Sequence, residues 1–363
     1  MKVAVLIDTW FPFVGGGQIN AWEISKGLAR RGNKVEIITR NCGTDHLKPF
    51  KNLNIIKLGN LSKPGDDMAR IRYLWQALIY INRNHFDLVM AHAFLPGLII
   101  KIFMILKKKP AILVVHGTSI GTELNKGPKA LLEKFILTKI KYSAEITVSR
   151  DFPKIKNVNS NIIYIPNGID PIFFKNYRPV KRIKDSLLFI GRLHPQKNLT
   201  NLIEAIKILK DENFIIKLII IGEGPEKQKI LDLVAKYRLK DLITLVGVKH
   251  GQDLIKYYKS TSAFILPSIY EGQALTLLEA WASKTPVIAT KTGDHRYLVK
   301  EGVNGYFIRD YDDPKSIAQA IKKALNDKNL TTKGQNGYRL AKDNFSWDST
   351  IQKILQIIKT INP

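Results

Sequence analysis

A chain of 363 residues with 45% hydrophobic content is long enough for two domains with cores of their own, and its 57 Lys and Arg against 31 Asp and Glu give a net charge of +26. Residues 1–180 hold 27 basic and 12 acidic side chains and the rest hold 30 and 19, so the excess is a field over both halves and not a charged tail; it suits polyanionic partners such as nucleotides, nucleic acid or an anionic membrane face. The single cysteine, Cys42, excludes an intrachain disulfide and thiolate zinc clusters and agrees with a reducing, cytoplasmic setting.

The first predicted element is Val3–Ile7, a short apolar run that ends in Asp8 and reads as a buried strand, not as a secretory signal. Further β-branched runs follow at Lys34–Thr39, Asn54–Leu58, Leu88–Ala91, Ile112–His116, Glu145–Val148 and Ile162–Ile165, with helical patterns between them. The longest apolar segment, Leu95–Leu106, is broken by Lys101 and is too short to span a bilayer, so no transmembrane helix is predicted. After the Pro-, Asn- and charge-rich stretch Pro166–Asp185, taken as a linker, a second series of runs appears at Leu187–Ile190, Lys217–Ile221, Ile243–Val246, Ala263–Leu266, Pro286–Thr290 and Tyr306–Ile308. Strands alternating with helices imply crossover units and parallel sheets covered on both faces. The fold class is therefore α/β, with two doubly wound, Rossmann-like domains: residues 1–178, residues 179–345, and a C-terminal helix over 346–363 that crosses back to the first domain.

In such sheets ligands bind beyond the carboxyl ends of strands. Those positions hold Phe13-Val14-Gly15-Gly16-Gly17-Gln18, His116-Gly117, Gly191-Arg192-Leu193-His194-Pro195-Gln196-Lys197-Asn198, Gly222-Glu223-Gly224-Pro225, and Pro267-Ser268 ahead of Glu271. Glycine-rich strand-to-helix turns let backbone N–H groups approach phosphate at a helix N-terminus, and Arg192 and Lys197 add full positive charge at one such turn. Taken singly, each has a plainer explanation: a flexible turn, solvated surface cations, a structural histidine. Asp310-Tyr311-Asp312 looks like an acidic metal triplet, but Asp313-Pro314 follows as a helix start, so capping is assigned there and no metal.

Tyr270-Glu271-Gly272-Gln273-Ala274-Leu275-Thr276-Leu277-Leu278-Glu279 places two glutamates eight positions apart around an almost wholly apolar run. An ionised carboxylate on a buried helix needs donors from protein or ligand, so Glu279 belongs either to a site or to an internal pair. If helical throughout, the segment would separate the two acids by roughly 12 Å along the axis, wider than the roughly 5 to 5.5 Å of a retaining glycosidase pair. Two carboxylates holding separate hydroxyl groups of one extended ligand fit that span better.

Taken together and in order, Gly15-Gly16-Gly17, His116-Gly117, Val148-Ser149, Pro166-Asn167-Gly168-Ile169-Asp170, Gly191-Arg192-Leu193 with Lys197-Asn198, Gly222-Glu223-Gly224, Pro267-Ser268 and the Glu271/Glu279 pair resemble the retaining glycosyltransferases of family 4, with the GT-B fold of two domains facing across a cleft. The resemblance runs over nearly the whole chain and includes Thr292-Gly293-Asp294 and Asn304-Gly305-Tyr306-Phe307; Gln273 and Ala274 depart from the aromatic or glycine that many members carry. It implies a hexosyltransferase that takes a nucleotide-diphosphate sugar mostly on the second domain and passes the sugar to a glycan or lipid-linked acceptor on the first. Arg192 and Lys197 would hold the diphosphate, Glu279 the ribose, and Glu271 the sugar hydroxyls. Gly16, Gly17, Gly191, Gln273, Ala274, Leu275 and Thr276 would line phosphates and sugar, Val248 would lie by the base, and His116 near the transferred sugar.

With cations and amides facing the leaving diphosphate, the expected mechanism is front-face transfer with retained configuration and no metal or other cofactor. The basic-apolar stretches Leu98–Lys109 and Pro128–Tyr142 read either as core helices with solvated lysines or as contacts with an anionic membrane at the inner face, as cell-envelope polysaccharide synthesis would need. Rival readings are a nucleotide-sugar epimerase of the same architecture, a basic nucleic-acid-binding protein, for which no reader module is found, and a phosphorylase, for which no cofactor lysine motif is found.

Overall fold

The β-branched runs become strands in the computed structural model, which describes residues 1–44, 47, 50–117, 127–152, 161–175 and 180–361, the side chain of residue 129 excepted. Its first half runs β1 (Lys2–Ile7), α1 (Gly16–Arg30), β2 (Lys34–Arg40), β3 (Leu53–Leu58), α2 (Asp67–Arg83), β4 (Leu88–His92), α3 (Phe94–Lys107), β5 (Ala111–Val115), α4 (Pro128–Lys139), β6 (Ala144–Thr147) and β7 (Ile162–Tyr164). These strands form one parallel sheet in the order β3-β2-β1-β4-β5-β6-β7. The second half runs β8 (Ser186–Ile190), α5 (Leu199–Asp211), β9 (Lys217–Ile221), α6 (Lys227–Lys236), β10 (Ile243–Leu245), α7 (Gly251–Ser260), β11 (Ala263–Leu266), α8 (Leu275–Ala282), β12 (Val287–Thr290), α9 (His295–Leu298), β13 (Gly305–Ile308), α10 (Pro314–Leu325), α11 (Leu330–Asn344) and α12 (Trp347–Ile361). Its sheet is again parallel, ordered β10-β9-β8-β11-β12-β13. Strands covered on both faces need no alternation of polar and apolar residues, which is why they read as continuous apolar runs.

Two compact units result: residues Met1–Gly168 with Trp347–Pro363, and residues Ile169–Ser346. The boundary expected at 178/179 lies outside the described residues, and the division falls at Gly168/Ile169. Ile169 and Phe173 are already part of the second unit's core, and the Ile169 amide donates to the Phe345 carbonyl at 3.1 Å. Gly168 is required by crowding, since a Cβ there would sit 2.2 Å from the Trp347 nitrogen.

The first unit has an apolar layer on each face of its sheet. One packs α1 and α12 through Ala21, Ile24, Leu28, Ile351, Ile354 and Ile358; the other packs α2, α3 and α4 through Tyr73, Ala77, Ile81, Ile100, Phe103 and Leu137. The second unit has one continuous core around both faces of its sheet. Asp66 caps α2, accepting from the Ala69 amide at 2.9 Å, and Asp313 caps α10, accepting from the Lys315 and Ser316 amides at 2.9 and 3.2 Å. Among the described residues no helix is long and apolar enough to cross a membrane.

Candidate functional site

In both sheets the strand order reverses beside the strand that opens the unit: β1 lies between β2 and β4, and β8 between β9 and β11. Loops leaving such a point diverge to opposite faces and open a crevice at the carboxyl edge. In the second unit the loops after β8 and β11 meet there.

Lys197 ends a 3₁₀ turn, Pro195–Lys197, that follows β8, and its Nζ forms an ion pair with Glu271 Oε1 beyond β11. Ser268 Oγ donates to the same oxygen at 2.7 Å, and Glu271 is only 7% exposed. Burial alone would push this carboxyl up; the Lys197 ammonium, the neighbouring His295 and hydrogen bonds from Lys197 and Ser268 more than reverse that and hold it below the usual carboxylate range. Glu271 is thus a fixed anion. The loops are stitched by Gln196, whose Nε2 donates to the Tyr270 carbonyl at 2.7 Å and whose carbonyl accepts from the Ile269 amide at 2.9 Å. A third loop, after β12, supports them: the Asp294 amide donates to the Gly272 carbonyl and Gln273 Nε2 to Asp294 Oδ2, each at 2.9 Å.

Only the second part of the Glu271–Glu279 segment is helical, since α8 begins at Leu275. No side chain caps that helix at Ala274 and no acid occupies its first turn, so its leading amides keep their donor capacity at the end of the Glu271 loop. Glu279, half-buried on the same helix, finds a protein partner in Tyr258 of α7, whose hydroxyl lies 2.9 Å from its Oε2 and 3.0 Å from the Thr276 carbonyl. Burial lifts the Glu279 carboxyl to about 7; the Tyr258 hydrogen bond opposes this in part and the charge of Asp170 adds to it. The two glutamates of one segment therefore differ in charge near neutrality.

Arg192 is exposed and makes no hydrogen bond or ion pair with any described residue, and Val248, after β10, is exposed as well. Gly191 and Gly222 serve close backbone approach: Gly222 has φ +148° and a Cβ there would meet the Gly191 carbonyl oxygen at 1.9 Å. Ala274 and Leu275 are buried at the start of α8, and Thr276 is half-buried.

In the first unit Gly16 and Gly17 open α1 without a side-chain cap. A Cβ on Gly17 would lie 3.4 Å from the His116 ring, which stacks on His92 with centroids 5.1 Å apart. His92 Nδ1 and His116 Nε2 are 2.9 Å apart, and burial lowers His116 to about 4 and holds His92 well below its ordinary value, so both rings are neutral near pH 7. Asp8, at the end of β1, is flanked by Arg40 Nε at 3.2 Å and Arg70 Nε at 3.1 Å.

The structure thus joins Lys197 to Glu271, Gln273 to the loop behind it, and Gly17 to His116, whereas Arg192 and Val248 bond to none of them. Sequence reasoning missed Ser268 as a hydrogen-bond donor and the contact of Asp294 with Gln273, and it missed Tyr258, His295, His92 and the Asp8–Arg40–Arg70 group altogether. His92 ends a strand as His116 follows one, and the same rule could have found it; Tyr258 sits on an amphipathic helix with nothing in sequence to mark it. Among the described residues no three His, Cys, Asp or Glu side chains are grouped to hold a metal ion.

Residues 173–341 match the family profile of the glycosyl transferases group 1, and residues 14–173 that of glycosyltransferase family 4. The chain belongs to these glycosyltransferases. An uncharacterised glycosyltransferase of Methanocaldococcus jannaschii is 26% identical to the transferase over 385 residues, covering 99% of this chain and 98% of that one. The UDP-Gal:alpha-D-GlcNAc-diphosphoundecaprenol alpha-1,3-galactosyltransferase of Escherichia coli is 26% identical over 84% of this chain and 80% of its own length. The solved sucrose-phosphate synthase of Thermosynechococcus elongatus superposes with a TM-score of 0.84 at 20% identity, covering 99% and 98% of the two chains, and shares the GT-B fold. The transferase is accordingly a hexosyltransferase that draws on nucleotide-sugar donors.

Proposed function

We propose that the transferase retains the configuration of the donor sugar, needs no metal, and delivers the sugar to a glycan or lipid-linked acceptor of a cell-envelope polysaccharide at an anionic membrane face. The observation that carries this reading is the buried Lys197–Glu271 pair at the β8/β11 reversal, held by Ser268 beside the uncapped start of α8. Because Lys197 is largely neutralised by Glu271, Arg192 is the cation of the two that has no ion-pair partner among the described residues. Arg192 and Lys197 would hold the diphosphate, with Gly191 and the amides of residues 273–276 around its oxygens. Glu271 would grip sugar hydroxyls, Glu279 the ribose, and Val248 would lie beside the base. Gly16 and Gly17 would line the phosphates and sugar, and His116 would lie near the transferred sugar, where its neutral ring can accept or donate one hydrogen bond without adding charge. The lipid-linked acceptor finds support in the diphosphoundecaprenol named for the Escherichia coli relative.

In the reaction, the anomeric carbon–oxygen bond to the diphosphate breaks as the acceptor hydroxyl bonds to the same face of that carbon, and its proton passes to the departing phosphate oxygen. Charge gathers on the leaving group, where oriented amides and fixed cations act most strongly. The test is to find the donor by thermal stabilisation, since a nucleotide sugar at 100 times its dissociation constant adds roughly 2.7 kcal/mol, and then to follow transfer with and without chelator. Undiminished transfer and a product with the donor's anomeric configuration are expected. Inverted product, or activity abolished by chelator, would overturn the mechanism.

A further inference from the structure

We propose that the outer face of α2, α3 and α4 docks the transferase on an anionic lipid bilayer; this deepens the membrane-facing part of the function above and rests on that reading for its purpose. The three helices lie side by side on one face of the first unit's sheet, bound to it through their buried sides. Each also carries large apolar side chains on the side turned away. On α2 these are Met68, Ile71 and Trp75, spaced i, i+3, i+7 and opposed to the buried Tyr73, Ala77 and Ile81. On α3 they are Ile102, Ile105 and Leu106, while Ile100 and Phe103 are buried towards the sheet. On α4 they are Leu131, Leu132 and Phe135, opposed to Ile136 and Leu137.

These nine side chains are half of the eighteen large hydrophobic residues exposed among the described residues. Trp75 is 64% exposed and Phe135 54%. Scattered exposure of this kind is ordinary, but concentration on three adjacent helices marks a contact surface.

Charge selects the occupant. Residues 94–109 carry four lysines and no acid, and Lys107, Lys108, Lys134 and Lys139 are exposed at the ends and flanks of the stripes. The one acid of α4, Glu133, is buried. A second copy of this face would bring like charges together, and a nucleic acid would leave the apolar stripes uncovered. An anionic bilayer accepts both components: apolar side chains enter the headgroup–acyl boundary while lysines meet lipid phosphates.

Flotation with vesicles of phosphatidylcholine alone or mixed with phosphatidylglycerol tests the proposal. The full chain is expected to float with the anionic vesicles at low salt, to lose that association as salt rises, and to remain below the zwitterionic ones. The triple variant Trp75→Glu/Ile105→Glu/Phe135→Glu, one exposed site per helix, is expected to reduce the bound fraction at least tenfold with its melting temperature unchanged. A wild type that does not float, a triple variant that floats equally well, or a wild-type dimer that the triple variant dissociates would each overturn the proposal. Sugar transfer to a water-soluble acceptor keeps the two claims apart: a chain that floats but transfers no sugar leaves docking intact and removes the function, and the triple variant should transfer at the wild-type rate.

Discussion

Glu271 and Glu279 are eight positions apart on one segment and are expected to carry different charge at pH 7, because burial raises both carboxyls and the Lys197 cation reverses this at Glu271, whereas at Glu279 the Tyr258 phenol opposes it only in part. That difference is measurable. An unfolded glutamate titrates near 4.5 and folded Glu279 near 7, so between those values the native chain keeps a proton that the unfolded chain has released. Stability therefore falls as pH rises through this window, and the full deficit, on the order of 3 kcal/mol, is reached above it. Glu279→Gln keeps the size and the hydrogen-bonding reach of the side chain and removes the titration. The variant is expected to melt above the wild type at pH 8 and level with it near pH 4, below the window, while binding donor more weakly at both. A difference in melting temperature that does not change with pH would mean that Glu279 ionises normally. The acid would then be held for the ligand at a cost to the empty protein, the trade seen when a site is kept at the expense of stability.

At the scale of elements, the position of Glu271 is set less by its own loop than by the one after β12. Gly293 has φ +48° there, and a Cβ would come 1.6 Å from the Glu271 carbonyl oxygen, so any side chain must move the backbone that carries the acid. Gly293→Ala is expected to lower turnover by about 10²-fold, the scale of a 1 Å misplacement of a reacting group, with the far-ultraviolet circular dichroism spectrum unchanged; wild-type turnover would show that the loop can yield. Thr292-Gly293-Asp294 was visible in sequence only as part of a family pattern, and its mechanical role was not. The strands, by contrast, were legible almost to the residue, because parallel strands buried on both faces announce themselves as short β-branched runs. The Lys197–Glu271 pairing was not legible: the residues were singled out separately, but they are 74 positions apart in the chain and only the reversal of strand order at β8 brings them together. The helical separation of the two glutamates was conditional on a segment helical throughout, and the condition is not met because the helix begins at Leu275 and Glu271 lies on the loop that enters it. An apolar run with a glycine near its head does not say where its first turn closes.

For the whole molecule, the two units differ in what completes them. The second, residues Ile169–Ser346, owns every element around its sheet, whereas the first borrows the last helix of the chain. On that helix Ile351, Ile354, Ile357 and Ile358 are buried against the layer that contains Ala21, Ile24 and Leu28 of α1, and Gly27 lacks the Cβ that would fall 2.4 Å from Ile351 Cγ1. Thr350 adds a buried hydrogen bond to the Pro166 carbonyl at 2.9 Å. Four buried isoleucines at about 1.5–3 kcal/mol each sum to a quantity comparable with the whole stability of a domain, about 5–15 kcal/mol. A chain ending at residue 346 is therefore expected to lose the first unit's unfolding transition in calorimetry while the second unit melts as in the full chain. Its amides in β8, β9 and β11 should stay protected from hydrogen exchange, and those in β1 and β4 should not. Survival of both transitions would mean that the α1 side of the first sheet can be closed without its last helix, and the isoleucine row on α12 would then need another explanation than completing the core.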